Sequence, residues 1–549
     1  MKKQFIYPVY MVLTLAALWL SGCKKDYLER TPSDYISEEE VFRNIENAQA
    51  FLNNAYNALP DWLYPSDGGN YNIGAGTDEM VHQWFHARTA RDFNSGNWNP
   101  ANFPLQNVYT DCYSAIRRIN IFLKNFDLIP EEVGTGVGNR KNRLKGEAYG
   151  LRAFYYFELF KMWGGVPLLD HALSPAGENI YLPRNTEEEV ISFIKKDIEE
   201  AIALLPAKHD DSQLGRFTAT AAKALLSKVT LYYASSLWNP GNDAARWEAA
   251  AIAAKDAISY AEKNGYIISL GEVGQKKAYE RIFLELNNPE VLFCKNTYMS
   301  SYWDFYASSL GCGGWYGDSP LQEMVDDYET ATGLSIKDPA AHYNNQDPYI
   351  NRDPRFYQSI LFHGAQWQGR KINVAPGGLD RDMDRQRTNY FVRKYIQEGH
   401  NLFTDVGSIY RRFSIYRLGE LYLNYAEAWN ERYGPDNTVY DAVNKLRNRA
   451  GMPDLPGGLS KEIMRERIRH ERRIELAFEG HRFWDVRRWK IAEQVDNGEV
   501  HGVNVSTAGV FTYPVYETRV FDKKKHYVFP IPQSELDKNQ NMKQNPGWE

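Results

Sequence analysis

The sequence predicts a mostly α-helical protein, in which a scaffold of packed helices carries long irregular segments rich in aromatic residues. Apolar residues recur at helical spacing through most of the chain, and two capping boxes mark helix starts. Several helical stretches follow one another as Ala-rich pairs. From about 264 to 410 the helical period gives way to Gly, Asn, Asp and aromatic residues, and the density of Trp and Tyr there argues against disorder.

The N-terminal segment 1–22 is predicted to be a lipoprotein signal peptide. Lys2 and Lys3 precede a mostly apolar run, Val9–Leu20, that is too short to span the roughly 30 Å hydrocarbon core of a bilayer. Small residues then precede Cys23, a pattern similar to the lipobox at which bacteria cleave and acylate a cysteine. We therefore predict that Cys23 is the lipidated first residue of the mature protein. The alternative is an ordinary signal peptide with an incidental cysteine.

Composition narrows the class of protein. The chain has 549 residues and a net charge of −6, which gives no case for nucleic acid or an anionic surface as a partner. After Cys23 only Cys112, Cys294 and Cys312 remain, so at most one disulfide can form. Aromatic residues make up 14 % of the chain, enough to furnish flat apolar surfaces for a ligand as well as a core.

The helices are predicted from their start signals and their apolar spacing. Ser37 with Glu40 opens a helical pattern that continues to Leu59, and Thr186 with Glu189 opens one that Pro206 ends. Further helical patterns cover roughly 105–126, 141–162, 217–236, 245–263, 412–432, 437–450 and 460–479.

Some of these helices form pairs that resemble tetratricopeptide geometry. The pattern at 217–236 is followed by an Ala-spaced helix at 245–263, and the pattern at 412–432 by one at 437–450. Small residues at the contacts let neighbouring helices approach closely, and stacked pairs bury what a single pair leaves exposed. A generic helical bundle with Ala-rich contacts is the alternative.

Six phrases, in order along the chain, resemble the successive signatures of the SusD/RagB family. They are LKGEAYGLRAFYYFELFKMWGGVPLL, GRFTATAAKALLSKVTLYYAS, NRDPRFYQSILFHG, RLGELYLNYAEAWNE, ERRIELAFEGHRFWDVRRWK and YVFPIPQSELDKNQNMKQNPGW. The resemblance covers essentially the whole chain after the signal. It implies an N-terminal helical region at 23–263 and a C-terminal region at 264–549, the latter divided into an irregular ligand-binding segment (264–410), a helical part (411–490) and a tail.

The resemblance also implies a function. Members of this family are lipid-anchored proteins of the bacterial outer membrane that face the cell exterior, bind oligosaccharides or in some cases peptides, and cap a SusC-like TonB-dependent transporter. They are not enzymes. We therefore expect a glycan-binding protein that delivers its ligand to such a transporter; a peptide-binding member and a lipid-anchored glycan hydrolase are the alternatives.

The motifs of metal sites and catalysis give little support to the hydrolase. Asp380, Asp382 and Asp384 stand at calcium-loop spacing, but Arg385 replaces the turn glycine and Phe391 replaces the closing glutamate. We expect a solvated polar loop there rather than a calcium site. No zinc-protease motif occurs, and carboxylates are too numerous for spacing alone to select an acid and base pair. No catalytic residue, metal or cofactor is predicted.

The densest charge run, at 465–490, is interpreted as scaffold. Glutamates and aspartates alternate with its arginines, so ion pairing neutralises much of the field that nucleic acid would need. We expect Glu479 and Arg482 in an internal ion network. Aromatic residues expected in the core are Phe483, Trp484, Trp489, Tyr155, Tyr156, Trp163, Tyr422, Tyr425 and Trp429.

The predicted sugar site draws on the irregular segments. A sugar ring presents a C–H face that packs on an indole or phenol, and its hydroxyls need polar partners. Both kinds of residue occur together in those segments, and the alternative is that the aromatic rings only pack the loops. Cys312, among glycines, is expected in a tight turn at the site or as an inert buried thiol. The candidates are Asp67, Asp78, Trp84, Trp303, Tyr306, Cys312, Trp315, Trp367 and Arg370.

Overall fold

The computed structural model describes most of the chain from residue 37 onward. The described residues are 37–61, 72–83, 88–131, 139–174, 176–269, 278–296, 301–382, 387–405, 407 and 409–549. Cys23, Asp67 and Trp84, which the sequence selects, lie outside these residues, as does Asp384.

The described chain is mostly helical, which confirms the predicted fold class. None of the helices described here combines the length and the apolar character that crossing a membrane requires. They are α1 (Glu38–Phe42), α2 (Ile45–Asn53), α3 (Arg88–Ser95), α4 (Asn107–Lys124), α5 (Arg140–Trp163), α6 (Glu187–Leu204), α7 (Ala219–Ala234), α8 (Ala244–Lys263), α9 (Ala278–Leu284), α10 (Tyr302–Ala307), α11 (Gln322–Asp327), α12 (Pro354–Ser359), α13 (Leu418–Tyr433), α14 (Asn437–Ala450), α15 (Lys461–Glu475), α16 (Arg482–Arg488), α17 (Ala492–Val495) and α18 (Gln533–Lys538).

The strands are short and pair only two at a time, always antiparallel. They are β1 (Met80–His82), β2 (Val291–Asn296), β3 (Asp318–Pro320), β4 (Ile360–Leu361), β5 (Gln366–Trp367), β6 (Arg370–Lys371), β7 (Phe391–Val392), β8 (Arg412–Arg417), β9 (Gly498–His501), β10 (Asn504–Val505), β11 (Phe511–Thr512) and β12 (Val515–Arg519). The pairs are β1 with β3, β2 with β8, β4 with β7, β5 with β6, β9 with β12, and β10 with β11. Several pairs lie in the irregular middle of the chain, where they fix loops against the helices.

Both predicted capping boxes are present. The side chains of Ser37 and Glu40 cap α1 reciprocally, and Thr186 with Glu189 does the same for α6. The helix predicted to continue from Ser37 to Leu59 is not continuous, however, because Asn44 caps a new helix there by accepting a hydrogen bond from the next turn.

The helix pairs pack as predicted. Helix α7 packs against α8, α8 against α13, and α13 against α14, while α5 packs against α6. Small residues make close approach possible: a Cβ atom on Gly150 would lie 2.5 Å from the ring of Phe217, and one on Gly146 would lie 2.8 Å from Leu205. Larger side chains at these two positions would push α5 away from the segments that cover it.

Residues 412–417, predicted to begin a helix, instead form strand β8. The strand pairs with β2, more than a hundred residues earlier in the chain, and α13 begins only at Leu418. Phe413, Ile415 and Arg417 alternate with their neighbours, as residues of a strand do. The apolar spacing is also compatible with a helix, but the pairing with β2 determines the local structure. The strand positions Arg417 at the centre of the buried charges described next.

A buried ion network joins the end of α15 to its surroundings. Arg417 Nη1 donates to Glu475 Oε1 at 2.7 Å, and Arg355 Nη1 donates to Glu475 Oε2 at 3.1 Å. Arg449 pairs with the same carboxylate. Burial by itself raises the pKa of Glu475, but Arg449, Arg417 and Arg355 outweigh burial and hold that pKa below its ordinary value.

The predicted ionic roles of Glu479 and Arg482 are confirmed. Glu479 accepts hydrogen bonds from Arg417 Nε at 2.8 Å and from Lys394 Nζ at 2.7 Å. Arg482 donates to both oxygens of Asp78, at 2.9 and 2.8 Å. The aromatic residues expected in the core are buried except Trp429, which is partly buried; the buried ones are Phe483, Trp484, Trp489, Tyr155, Tyr156, Trp163, Tyr422 and Tyr425.

The three cysteines after Cys23 are free thiols. Cys112, Cys294 and Cys312 are all buried, and none is paired with another. No disulfide therefore stabilises the described part of the fold, and helix packing and the ion network hold it together.

Candidate functional site

A group of exposed apolar side chains lies where helix α10 meets two later loops. We call this group the aromatic patch and define it by its residues, Tyr302, Leu310, Trp315, Leu379 and Phe403. The exposed fraction of Trp315 is 39 % and that of Tyr302 is 43 %, both high for large rings in an otherwise well-packed segment. Clustered exposure of this kind marks an interaction site more often than scattered single apolar residues do.

Ring contacts tie Trp315 to α10. Its ring stacks on Phe305, with centroids 4.6 Å apart and planes 15° apart, and it meets Tyr302 edge-on at 6.1 Å. Because Phe305 covers one face of the indole, the exposed surface of Trp315 lies elsewhere on the ring. The two exposed rings, Trp315 and Tyr302, thus form a fixed platform.

The backbone fixes this arrangement. After α10 the chain turns back on itself, so that Trp315 N donates to Phe305 O at 2.5 Å and Gly317 N donates to Tyr306 O at 2.8 Å. Gly313 makes the turn possible with a φ of 81°, in the left-handed region that favours glycine. A Cβ atom on Gly313 would lie 3.3 Å from the ring of Phe403, which places that ring directly beside the turn.

The edge of the patch is polar. Arg370 donates to both oxygens of Asp380, at 2.6 and 2.7 Å, and Nη2 also lies 3.2 Å from the sulfur of Cys312. Ser309 Oγ donates to the same Asp380 carboxylate at 2.5 Å. The side chain of Arg370 is 27 % exposed, so the guanidinium presents a fixed polar group beside the apolar rings. Its hydrogen bonds to Asp380 raise the pKa of Arg370.

The loop that carries Phe403 is held to α10 by a histidine. His400 Nδ1 lies 3.5 Å from Asp304 Oδ1, and Nε2 lies 2.8 Å from the carbonyl oxygen of Asp405. Arg411 pairs with the same Asp304 carboxylate. Hydrogen bonding to Asp304 raises the pKa of His400. Each of these charged groups is therefore engaged in holding the loop.

Trp303, Tyr306 and Trp367 were predicted to stack on sugar, and the structure corrects all three. They are buried, with exposed fractions of 6 % or less, so their rings offer no open face. Trp303 and Tyr306 stand three residues apart on the inner side of α10, and Trp303 Nε1 donates to Lys394 O at 3.2 Å. Of the three, Tyr306 contacts the platform, with ring centroids 6.3 Å from Tyr302 and 5.4 Å from Trp315.

Two polar predictions are also corrected. Asp78 is buried, and Arg482 and Arg473 engage its oxygens, so it belongs to the ion network. The loop that begins at Asp380 was expected to be solvated. Asp380 itself is fully buried and paired with Arg370. Among the described residues no group of side chains has the composition of a metal site.

Cys312 combines both alternatives that the sequence left open. It lies in the short 3₁₀ turn Leu310–Cys312 beneath the patch, and its thiol is buried. Burial raises the pKa of the Cys312 thiol, which therefore stays protonated and packs as a small apolar group. Of the nine candidates, Trp315 and Arg370 are the described residues that remain accessible at this site.

The sequence did not select Tyr302, Leu310, Leu379 or Phe403. Tyr302 directly precedes Trp303, which was selected. The helix that carries both has six residues, too few for the spacing of apolar residues to show which side faces the solvent. Phe403 lies in the segment NLFTDVG, which contains Asn and Asp. An aromatic residue within such a polar loop was the signal that could have identified it.

The packed helical scaffold of this chain matches the fold of solved SusD-like proteins. The chain belongs to the SusD/RagB family: the SusD family profile matches residues 292–548. A second profile, described as starch-binding associating with outer membrane, matches residues 26–231. The sequence resemblance is thereby confirmed.

Related proteins match over nearly the full chain. A SusD-like protein of Formosa agariphila is 25 % identical over 547 residues, which cover 96 % of this chain and 99 % of that protein. The crystal structure of a SusD-like protein of Bacteroides fragilis matches with a TM-score of 0.79. That protein is 28 % identical, and the match covers 94 % of this chain and 100 % of that chain. A SusD-like carbohydrate-binding protein of the same species is 25 % identical, with a TM-score of 0.77 over 92 % of this chain and 100 % of the other.

Proposed function

We propose that the protein binds an oligosaccharide or polysaccharide on the aromatic patch. The observation that carries the proposal is the exposed Trp315–Tyr302 platform, in which Trp315 stacks on Phe305, Tyr302 stacks on Tyr306, and the returning backbone fixes Trp315. A rigid platform loses little conformational freedom when a ring packs on it, so most of the contact energy contributes to affinity. The carbohydrate-binding relative from Bacteroides fragilis supports the same ligand class.

The patch suits the two sides of a sugar. Its rings and its aliphatic side chains Leu310 and Leu379 offer surface to the C–H face, and Arg370 offers donors to hydroxyl oxygens at the edge. Because Phe403 and Leu379 are both 70 % exposed, the surface is open at its margin. An open platform favours a chain of several sugar units over a single enclosed ring.

We propose a binding role rather than hydrolysis. None of the patch residues carries a carboxylate or an imidazole. Two carboxylates beside the patch, Asp380 and Asp304, each hold an arginine in an ion pair and so are not placed as a general acid and base. Peptide binding is the remaining alternative within the family.

Incubation of the purified protein with a panel of oligosaccharides tests the function. We expect saturable binding to one glycan class without release of shorter products, because the patch holds rings and supplies no catalytic pair. Calorimetry measures binding, and chromatography of the incubated glycan detects cleavage. A panel of random peptides serves as control. Product release would favour the hydrolase, and binding of peptides alone would favour the peptide-binding alternative.

We further propose that the protein is anchored in the outer membrane through Cys23 and delivers glycan to a SusC-like TonB-dependent transporter, as the family resemblance implies. Stable anchoring needs more than one acyl chain, and bacterial lipoprotein modification supplies several. The tether confines both proteins to one membrane and so raises their effective concentration.

Affinity purification from solubilised outer membranes is expected to recover a SusC-like transporter in near-equal amount, because a stable complex buries at least about 1,000 Å². In the matched variant Cys23→Ser the protein is expected to leave the membrane fraction and to recover much less transporter. Membrane retention of that variant would contradict the anchor. Recovery of the wild-type protein alone would contradict the complex.

A further inference from the structure

A second concave surface lies outside the aromatic patch and shares no residue with it. We call it the polar cleft. It has a volume of about 760 Å³, and among its lining residues are Gln322, Glu323, Asp326, Tyr343, His501 and Tyr513. Helix α11, the loop that follows it, the end of β9 and the turn between β11 and β12 form its walls. Ligand sites in proteins commonly have volumes of this order, about 300–1,000 Å³.

Two tyrosines stand in the wall of the polar cleft, and both are held in place. Tyr513 OH donates to Asn345 O at 2.8 Å. The buried guanidinium of Arg352 lies 5.6 Å from the centre of the Tyr343 ring and is itself fixed by donating to Pro348 O at 2.8 Å. The two half-buried phenol rings are therefore oriented before any ligand arrives.

A carboxylate with one oxygen unengaged lies beside them. Gln322 Nε2 donates to Asp326 Oδ1 at 2.7 Å, and Tyr390 OH donates to Gln322 Oε1 at 2.6 Å, which fixes the orientation of the amide. Asp326 Oδ2 accepts no hydrogen bond from the described residues, and the carboxylate forms no ion pair with them. Burial raises the pKa of Asp326, and the hydrogen bond from Gln322 and the charge of Arg352 only partly oppose that shift. A ligand that brings a hydroxyl donor to Oδ2 would compensate this burial.

A second carboxylate in the wall, Glu323, is engaged internally. His501 N donates to both oxygens of Glu323, at 3.0 and 3.1 Å, and His501 Nδ1 lies 2.7 Å from Oε1 of the same carboxylate. Glu323 therefore shapes the wall, whereas Asp326 supplies the open acceptor. Glu323 and Asp326 and one cation, Lys337, line the cleft, so negative groups outnumber positive ones and the cleft offers no excess of positive charge to uronic acids or sulfated sugars.

We propose that the polar cleft is a second glycan subsite, which takes one or two rings of a neutral sugar or an amino sugar. The phenol rings of Tyr343 and Tyr513 would pack on the ring face, and Asp326 Oδ2 would accept from a hydroxyl or ammonium group. The inference takes its ligand class from the proposed function but does not depend on the aromatic patch. With a second subsite, the protein could hold one polysaccharide chain at two points or hold two chains at one point each.

Saturation-transfer NMR with the methyl glycosides of glucose, mannose, galactose and glucosamine tests the subsite. The measurements use the full chain carrying Trp315→Ala, so that the patch is weakened. We expect transfer from at least one of these glycosides in that background. Adding Tyr343→Ala is expected to remove it, and adding Asp326→Asn to weaken affinity about tenfold or more, the equivalent of 1.4 kcal/mol. Tyr181→Ala, at a tyrosine that is 50 % exposed and belongs to neither surface, is the matched control.

The outcomes separate the two sites. If Trp315→Ala alone abolishes transfer, or if no glycoside gives transfer to the wild-type protein, the cleft proposal is overturned. It is also overturned if Tyr343→Ala and Asp326→Asn, with unchanged melting temperatures, leave transfer intact. If Trp315→Ala binds like the wild type and the cleft variants lose binding, the cleft stands and the patch proposal fails.

Discussion

Glu475→Gln is expected to lower the free energy of unfolding by about 3–5 kcal/mol, the cost of removing one partner from a buried ion pair. The Glu475 side chain is fully buried and faces three arginines, Arg417, Arg355 and Arg449. The amide keeps the size of the side chain but removes its charge, so that buried guanidiniums lose their shared counter-ion. Denaturant unfolding followed by circular dichroism measures the loss.

The matched control for this variant is Glu466→Gln, on the same helix. Glu466 pairs with Arg469 at 3.1 Å, but its side chain is 69 % exposed, and such pairs contribute less than about 1 kcal/mol. Equal losses of unfolding free energy in the two variants would contradict the prediction, because they would show that the buried ion pairs stabilise the fold no more than an exposed pair does. The two substitutions change the same chemical groups, so the comparison isolates the environment.

The network also sets a pH dependence. Because the pKa of folded Glu475 lies below its unfolded value, its contribution to stability is present above the ordinary glutamate pKa and is lost as the pH falls through the lowered value. The stability difference between wild type and Glu475→Gln should therefore be constant around neutral pH and shrink progressively once the pH falls below the ordinary glutamate pKa.

The parts of the fold that could be predicted from the sequence are those set by neighbours along the chain. The capping box of Thr186 and Glu189 joins residues three apart, and the helix it opens ends before Pro206 because the residue preceding a proline avoids helical geometry. Strand β8 could not be predicted in this way, since its pairing with β2 depends on a partner far away in sequence.

The same distinction applies to the candidate site. Asp78 was selected because it is a polar residue in an irregular, aromatic-rich segment. Its partner Arg482 lies 404 positions away in the sequence, and no local pattern reveals that pairing. Trp315 and Trp303 were both selected as stacking rings, but Trp315 is exposed and Trp303 is buried, because the side of α10 that faces the core depends on the tertiary packing. The kind of residue was predictable, and its burial was not.

Trp315→Ala is expected to weaken glycan binding about tenfold or more, provided that the glycan panel has identified a ligand. Aromatic stacking is worth about 0.5–1.5 kcal/mol beyond the area it buries, and each 1.4 kcal/mol corresponds to a factor of ten in affinity. Tyr302→Ala, which removes the other exposed ring of the platform, should act in the same direction. Calorimetric titration of each variant measures the change.

Two further variants separate binding from stability. Tyr433→Ala removes a ring that is 50 % exposed at the end of α13, outside the patch, and should leave affinity unchanged. Trp303→Ala, by contrast, empties a buried site and should cost about 3–5 kcal/mol of unfolding free energy. Wild-type affinity in both Trp315→Ala and Tyr302→Ala would refute the patch as the glycan site. A loss of melting temperature without loss of affinity in those two variants would make their rings part of the core instead.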